Sequence, residues 1–150
     1  MRRKDRQITS EEAMEALAMG TWGVLSTCMG GTPYGVPLNY VYSRADNALF
    51  FHCAPEGKKL AILKSNSRVS FAVVTRAQIV SERFTTYYES VIVSGTASVV
   101  EGEQEKKARM RQLCAALTPQ TPADDCIKNS LSAAALVRID IDEIAGKRNH

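Results

Sequence analysis

The stretch YGVPLNYVYSRADNALFFHC, Tyr34 to Cys53, decides the fold. Tyr34, Val36, Leu38, Tyr40 and Tyr42 recur at every second residue, the period of a strand whose alternate side chains share one face. Arg44-Ala45-Asp46-Asn47 is turn chemistry, and Ala48 to Cys53 is an apolar run that folds back as the second arm of a hairpin. Pro37 cannot donate a ladder hydrogen bond. Its strand is therefore expected to lie at a sheet edge or to bulge there, leaving one carbonyl of its partner unpaired.

Outward from this hairpin, Trp22 to Cys28 is a β-type run, joined to it by Met29-Gly30-Gly31-Thr32. Arg68 to Thr75, Ser90 to Glu101 and Ala134 to Ile141 add three more, and Gly95 is expected to bend the second of these. Thr9-Ser10-Glu11-Glu12 is a capping-box signature that opens a helix, and Gly20 ends it. Lys58 to Ser65 and Glu103 to Leu117 read as further helices, the second with a solvated charged face. The strands are mostly hairpin-connected, so the expectation is a mainly β fold, a six-stranded antiparallel barrel, closed or nearly so, with peripheral helices. The βαβ rhythm, G-x-G-x-x-G, the P-loop pattern and G-x-S-x-G are all absent. Trp22 is expected to pack in the core, Tyr34, Tyr40 and Tyr42 in the core or an interface. Phe84 to Tyr88 reads as a polar–aromatic loop at an interface.

At 150 residues, 45% hydrophobic and 23% charged, the chain has the profile of one globular domain spanning residues 1–150. No run has the roughly 18–20 apolar residues of a membrane span. The segment MRRKDRQITSEE lacks the apolar region of a secretory signal, so a cytoplasmic protein is expected. The net charge of +3 resides in the first six residues, where Arg2, Arg3, Lys4 and Arg6 oppose Asp5 alone. Residues 1–7 read as a frayed basic tail, and the balanced remainder does not suit a nucleic-acid binder. Cys28, Cys53, Cys114 and Cys126 show no metal-ligand spacing, and His52 and His150 do not complete a metal set with them. They read as reduced, small apolar residues.

The chemistry concentrates in His52-Cys53-Ala54-Pro55-Glu56-Gly57-Lys58-Lys59. Gly57 frees the backbone at a helix entrance, and two lysines occupy the first turn, where the macrodipole disfavours cations. Free amides, a positive dipole and two ammonium groups suit an anion such as phosphate. His52 and Cys53 end the strand beside it. The backbone around Pro37-Leu38-Asn39-Tyr40 could meet a planar heterocycle. A phosphate with a flat ring beside it describes flavin mononucleotide (FMN).

GVLST (Gly23 to Thr27), GTPYGVPLNYVY (Gly31 to Tyr42), LFFHCAPEGKK (Leu49 to Lys59), SRVSFAVV (Ser67 to Val74), YYESVIVSGTA (Tyr87 to Ala97) and RIDIDEIAGKR (Arg138 to Arg148) occur in this order. The set resembles the flavin-binding split-barrel proteins related to pyridoxamine 5′-phosphate oxidase, and within them the subgroup named for 5-nitroimidazole resistance. The resemblance implies a six-stranded split β-barrel and a homodimer with one FMN in each of two interface clefts. Lys58 and Lys59 would then face the phosphate, and Phe51, His52 and Cys53 would line its ribityl side. Val36, Pro37, Leu38 and Asn39 would follow the ring, while Tyr87, Tyr88 and Ser90 would approach from the other subunit. Lys147 and Arg148 are further candidates for the interface cleft. The subgroup often has a His-Lys pair where this chain has Lys58-Lys59, and no arginine-rich signature for a vitamin B6 phosphate stands near the C-terminus. The activity implied is reduction of a small acceptor such as a nitroaromatic, with His52 the candidate for proton transfer. A deazaflavin in place of FMN, or a non-catalytic module that stores or senses flavin or haem, would use the same residues.

Overall fold

The computed structural model describes residues 3–128 and 133–149; Arg2 and His150 lie outside them. A 3-10 turn at Lys4–Arg6 leads into β1 (Gln7–Ile8), α1 (Ser10–Met19), β2 (Trp22–Met29), β3 (Thr32–Asn39), β4 (Val41–Ser43) and β5 (Ala48–Cys53). Then come α2 (Lys58–Ser65), β6 (Arg68–Val80), β7 (Thr85–Val99), α3 (Glu103–Leu117), α4 (Ala123–Cys126) and β8 (Ala135–Asn149).

All the strand pairs are antiparallel, in the order β3-β2-β6-β7-β8-β5-β4, with β1 added to β8. The first and last strands of that path are two halves of one stretch, Thr32 to Ser43, parted at Tyr40. The sheet therefore curls until its ends meet through the chain itself, a split barrel with helices outside. Tyr40 marks the seam. It is 1% exposed, its ring meets Phe71 edge-on at 5.1 Å, and its hydroxyl donates to the Leu17 carbonyl at 2.6 Å.

Two apolar clusters follow from strand alternation. Leu25, Leu49, Phe51, Phe71, Val93 and Ile139 fill the barrel with α1 at its side, whereas Ala48, Phe50 and Leu136 face outward under Met110 and Leu113 of α3. The capping box forms as expected, with the Glu12 amide donating to Thr9 Oγ1 and the Thr9 amide to the Glu12 carboxylate. Gly95 sits at a register shift in β7, where a Cβ would come 2.2 Å from the Asp140 carbonyl oxygen.

The structure corrects several expectations. Six main strands appear where expected, but β1 and the separation of β4 from β3 bring the number among the described residues to eight. The basic segment expected to fray is folded from Lys4, and Gln7 and Ile8 pair with Lys147 and Gly146. Phe84 to Tyr88 is not a loop: only Phe84 stands outside the strands, and Thr85 begins β7. Trp22 is 53% exposed, because its neighbours Gly23 and Leu25 take the inward phase of β2. Pro37 does lie on an edge strand, yet it strands no partner carbonyl. The Tyr40 amide donates to the Thr21 carbonyl, so even-numbered amides of β3 face β2, and Pro37 sets its missing N–H on the open edge.

Candidate functional site

Gly57, Lys58 and Lys59 stand at the entrance to α2, where the sequence places them. Gly57 precedes the helix at φ 127, ψ 175, a conformation nearly confined to glycine, and among the described residues no side chain caps the helix. The first-turn amides are therefore free of a side-chain partner. Lys58 Nζ lies 4.6 Å over the Tyr34 ring and Lys59 Nζ 5.5 Å over the Phe51 ring. These cation–π contacts hold both ammonium groups at one end of the barrel, against β3 and β5.

Strand alternation divides the β5 residues between two faces. Phe51 and Cys53 turn toward the barrel interior, while His52 shares the outward phase of Ala48 and Phe50. His52 Nδ1 is buried without a hydrogen-bond partner among the described residues. Burial, and secondarily the Lys59 charge, hold the imidazole below its usual pKa. Burial raises the Cys53 thiol, with Lys59 opposing it in part. A cavity of about 380 Å³ opens at this strand end, lined by His52, Cys53, Ala54, Pro55, Ala133 and Ala134. On β3, Val36 and Leu38 are half-buried against the barrel core. The open edge instead offers backbone: the amides of Gly35 and Asn39 and the carbonyls of Gly35, Pro37 and Asn39.

Tyr87, Tyr88 and Ser90 lie elsewhere. Tyr34 pairs with Thr27, whose register leads across Val69 to Gly95 on β7. Tyr88 is seven residues from Gly95, about 23 Å along the strand, and β7 is three strand spacings from β3, about 14 Å. The register sets these tyrosines at the other end of the sheet from the lysines.

At that far end the structure holds a polar network that the sequence analysis missed. Thr75 is the extra residue of a bulge between Val74 and Arg76, and its hydroxyl donates to the Glu89 carboxylate at 2.8 Å. Arg148 Nε donates to the same carboxylate at 2.6 Å, and its Nη1 reaches Glu12 at 2.9 Å. Burial works to raise the Glu89 pKa, but these hydrogen bonds outweigh it and hold the carboxyl below its ordinary value. A cavity of about 570 Å³ borders the network, with Met19, Arg76 and Tyr88 on its walls. Lys147, the other C-terminal candidate, lies beside Arg148 on β8. Among the described residues no group of His, Cys, Asp and Glu could hold a metal ion, and no helix is long and apolar enough to cross a membrane.

The family profile described as pyridoxamine 5′-phosphate oxidase matches residues 9–148. The chain belongs to that family. Among solved structures, a FAD-binding protein from Mesorhizobium loti is 27% identical over 97% of this chain and 98% of its own, with a TM-score of 0.73. A candidate 5-nitroimidazole antibiotic resistance protein from Bacteroides thetaiotaomicron is 20% identical over 94% of this chain and 85% of its own, at a TM-score of 0.75. An FAD and haem binding protein from Mycobacterium smegmatis reaches a TM-score of 0.81 at 17% identity, over 97% of this chain and 74% of its own. The last two, at such identities, share the family's fold with this chain. No curated protein matches the chain significantly.

Proposed function

We propose that the protein binds FMN and is a flavin-dependent oxidoreductase that reduces a small acceptor, such as a nitroaromatic, at the interface of a two-fold homodimer. The observation that carries this reading is the uncapped entrance of α2 with Lys58 and Lys59 beside it. Free helix amides and two ammonium groups suit a terminal phosphate. The backbone groups on the open edge of β3 suit the polar rim of a flat ring. Bound flavin would supply the electron transfer, and the chain's residues would fix its phosphate and orient its ring. His52, half-buried with its Nδ1 unpartnered among the described residues, is the group available to hold or move a proton there.

The dimer is supported by the distance between the two groups of candidate residues and by the outer sheet face. Pro37, Val24, Ala72, Ile92 and Ala145 form one row across five strands, flanked by Trp22 and Val74. Ile92, Trp22 and Val74 are each about half exposed, at 52%, 53% and 49%. A continuous apolar face of this kind suits an isologous contact. That contact would carry Tyr87, Tyr88 and Ser90 of each copy toward the lysines of the other.

A second reading, a binding module without turnover, draws support from the Mycobacterium smegmatis neighbour, which is described by what it binds, FAD and haem. Mass spectrometry of the ligand released from purified protein separates FMN, FAD, a deazaflavin and haem. Reduction of the bound flavin by NAD(P)H, followed by consumption of a nitroaromatic, supports the enzyme. Flavin that NAD(P)H leaves oxidised favours the module, and protein that takes up neither flavin nor haem removes both readings.

A further inference from the structure

Two of the chain's cysteines meet on the helices that cover the outward face of β5 and β8. Cys114, in the last turn of α3, is 2% exposed among Phe50, Met110, Leu113 and Leu136. Cys126 ends α4 and packs on the rim of the same cluster. Thr118 touches both: its hydroxyl donates to the Cys114 carbonyl at 2.9 Å and lies 3.9 Å from the Cys126 sulfur. Both residues belong to one apolar cluster, and burial together with the neighbouring Cys126 pushes the Cys114 thiol up to about 12. Cys28 and Cys53 sit on β2 and β5, which are not adjacent in the sheet.

α4 is held mainly by Ala123 and Cys126, which pack on the rim of that cluster. It has four residues, none of them buried, and its ion pair, Arg111 to Asp124, joins side chains that are 57% and 77% exposed. Pairs so exposed contribute little.

We infer that Cys114 and Cys126 form a redox-modification site, a dithiol that peroxide converts to a disulfide clamping α4 onto the end of α3. Cys126 is the more accessible sulfur and reacts first. Its thiolate attacks one peroxide oxygen, the O–O bond breaks, hydroxide leaves, and Cys126 becomes a sulfenic acid. The Cys114 sulfur then attacks the Cys126 sulfur, the S–O bond breaks, and the departing hydroxide takes the Cys114 proton as water. In sum, two thiols give up two electrons and two protons, and one peroxide becomes two waters. Burial keeps Cys114 protonated until that second step, which makes it the resolving partner rather than the site of attack. The clamp fixes the cover over the face of β5 that also carries His52.

The test needs no cofactor. The purified protein is treated with hydrogen peroxide, denatured and alkylated with iodoacetamide. Of the four cysteines two should remain alkylatable, the intact mass should fall by two hydrogens, and peptide mapping should join Cys114 to Cys126. Cys114→Ser should stop at a sulfenic acid on Cys126 that dimedone captures, and Cys126→Ser should form no disulfide. In the wild type, oxidation should slow amide exchange across α4 and dithiothreitol should restore it. Four alkylatable thiols after peroxide, or a cross-link between any other pair or between two chains, overturns the inference. The wild-type peptide map decides the matter even if a serine variant fails to fold.

Discussion

Tyr40 and Leu17 join the barrel seam to the first helix through one buried hydrogen bond of 2.6 Å. Burial drives the phenol's pKa upward, so the hydroxyl stays a donor across the working pH range. Tyr40→Phe keeps the ring against Phe71 and removes only that donor. A loss of about 1–2 kcal/mol in urea unfolding is expected, because the buried carbonyl loses its side-chain partner. An unchanged midpoint would show that the hydroxyl does not fasten α1 to the seam.

The seam also shows what sequence could reveal. Tyr34 to Tyr42 reads as one strand because its alternation never breaks. The separation at Tyr40 is a bend in space that leaves the period intact. The six main strands were legible wherever one face is buried. The arm formed by Arg76 to Val80 and Thr85 to Tyr88 was not, since its residues are mostly exposed and carry no apolar period. Trp22 misled because an aromatic side chain does not declare its phase. The start of α2 at Gly57 was legible because a glycine before a helical run is a local signal. The Thr75–Glu89–Arg148 network was not, because it depends on a bulge and on a pairing between β7 and β8 distant in sequence.

Gly57 tests the phosphate reading through the backbone alone. A Cβ there would meet nothing within 4 Å, so any effect of Gly57→Ala comes from the left-handed φ of 127. Such positions cost non-glycine residues about 1–3 kcal/mol. The variant should lose about that much stability in urea and bind FMN more weakly as the first turn of α2 reorients. Full stability with unaltered FMN affinity would mean that the entrance is an ordinary surface turn.

His52 makes stability depend on pH with a definite sign. The unfolded histidine titrates near its ordinary value of about 6.5, and burial with Lys59 sets the folded value lower. Above both values neither state holds the proton and stability is flat. As pH falls below about 6.5, the unfolded chain takes up the proton first, and stability drops until the folded value is passed. His52→Asn should flatten that window in a series of urea titrations. FMN adds an anion near Lys59, so its binding should raise the His52 pKa followed by NMR; a pKa that FMN leaves in place would put the phosphate elsewhere.

Lys58 and Lys59 carry the phosphate reading directly. Changing both to Ala removes charge-assisted bonds worth roughly 1.5–3 kcal/mol each before solvent losses. At 1.4 kcal/mol per decade, FMN affinity should fall at least about tenfold. Riboflavin has no phosphate, so it should bind wild type and variant alike. Equal FMN affinities by titration would leave the lysines as cations resting on Tyr34 and Phe51 and nothing more.

The distance between Lys58 and Tyr88 leads to a complementation experiment. If each flavin site joins the lysines of one copy to the tyrosines of the other, Lys58→Ala/Lys59→Ala and Tyr88→Ala damage opposite halves of it. A heterodimer of the two variants then contains one site with both defects and one with neither. Co-refolding at equal amounts gives heterodimers as about half of all dimers, so about one quarter of wild-type sites should return at full FMN affinity. Each variant refolded alone should show no full-affinity sites. If the site belonged to one chain, every chain in the mixture would carry a defect, and mixing would restore nothing. A full-affinity fraction near one quarter therefore supports a shared site, and a fraction near zero removes it.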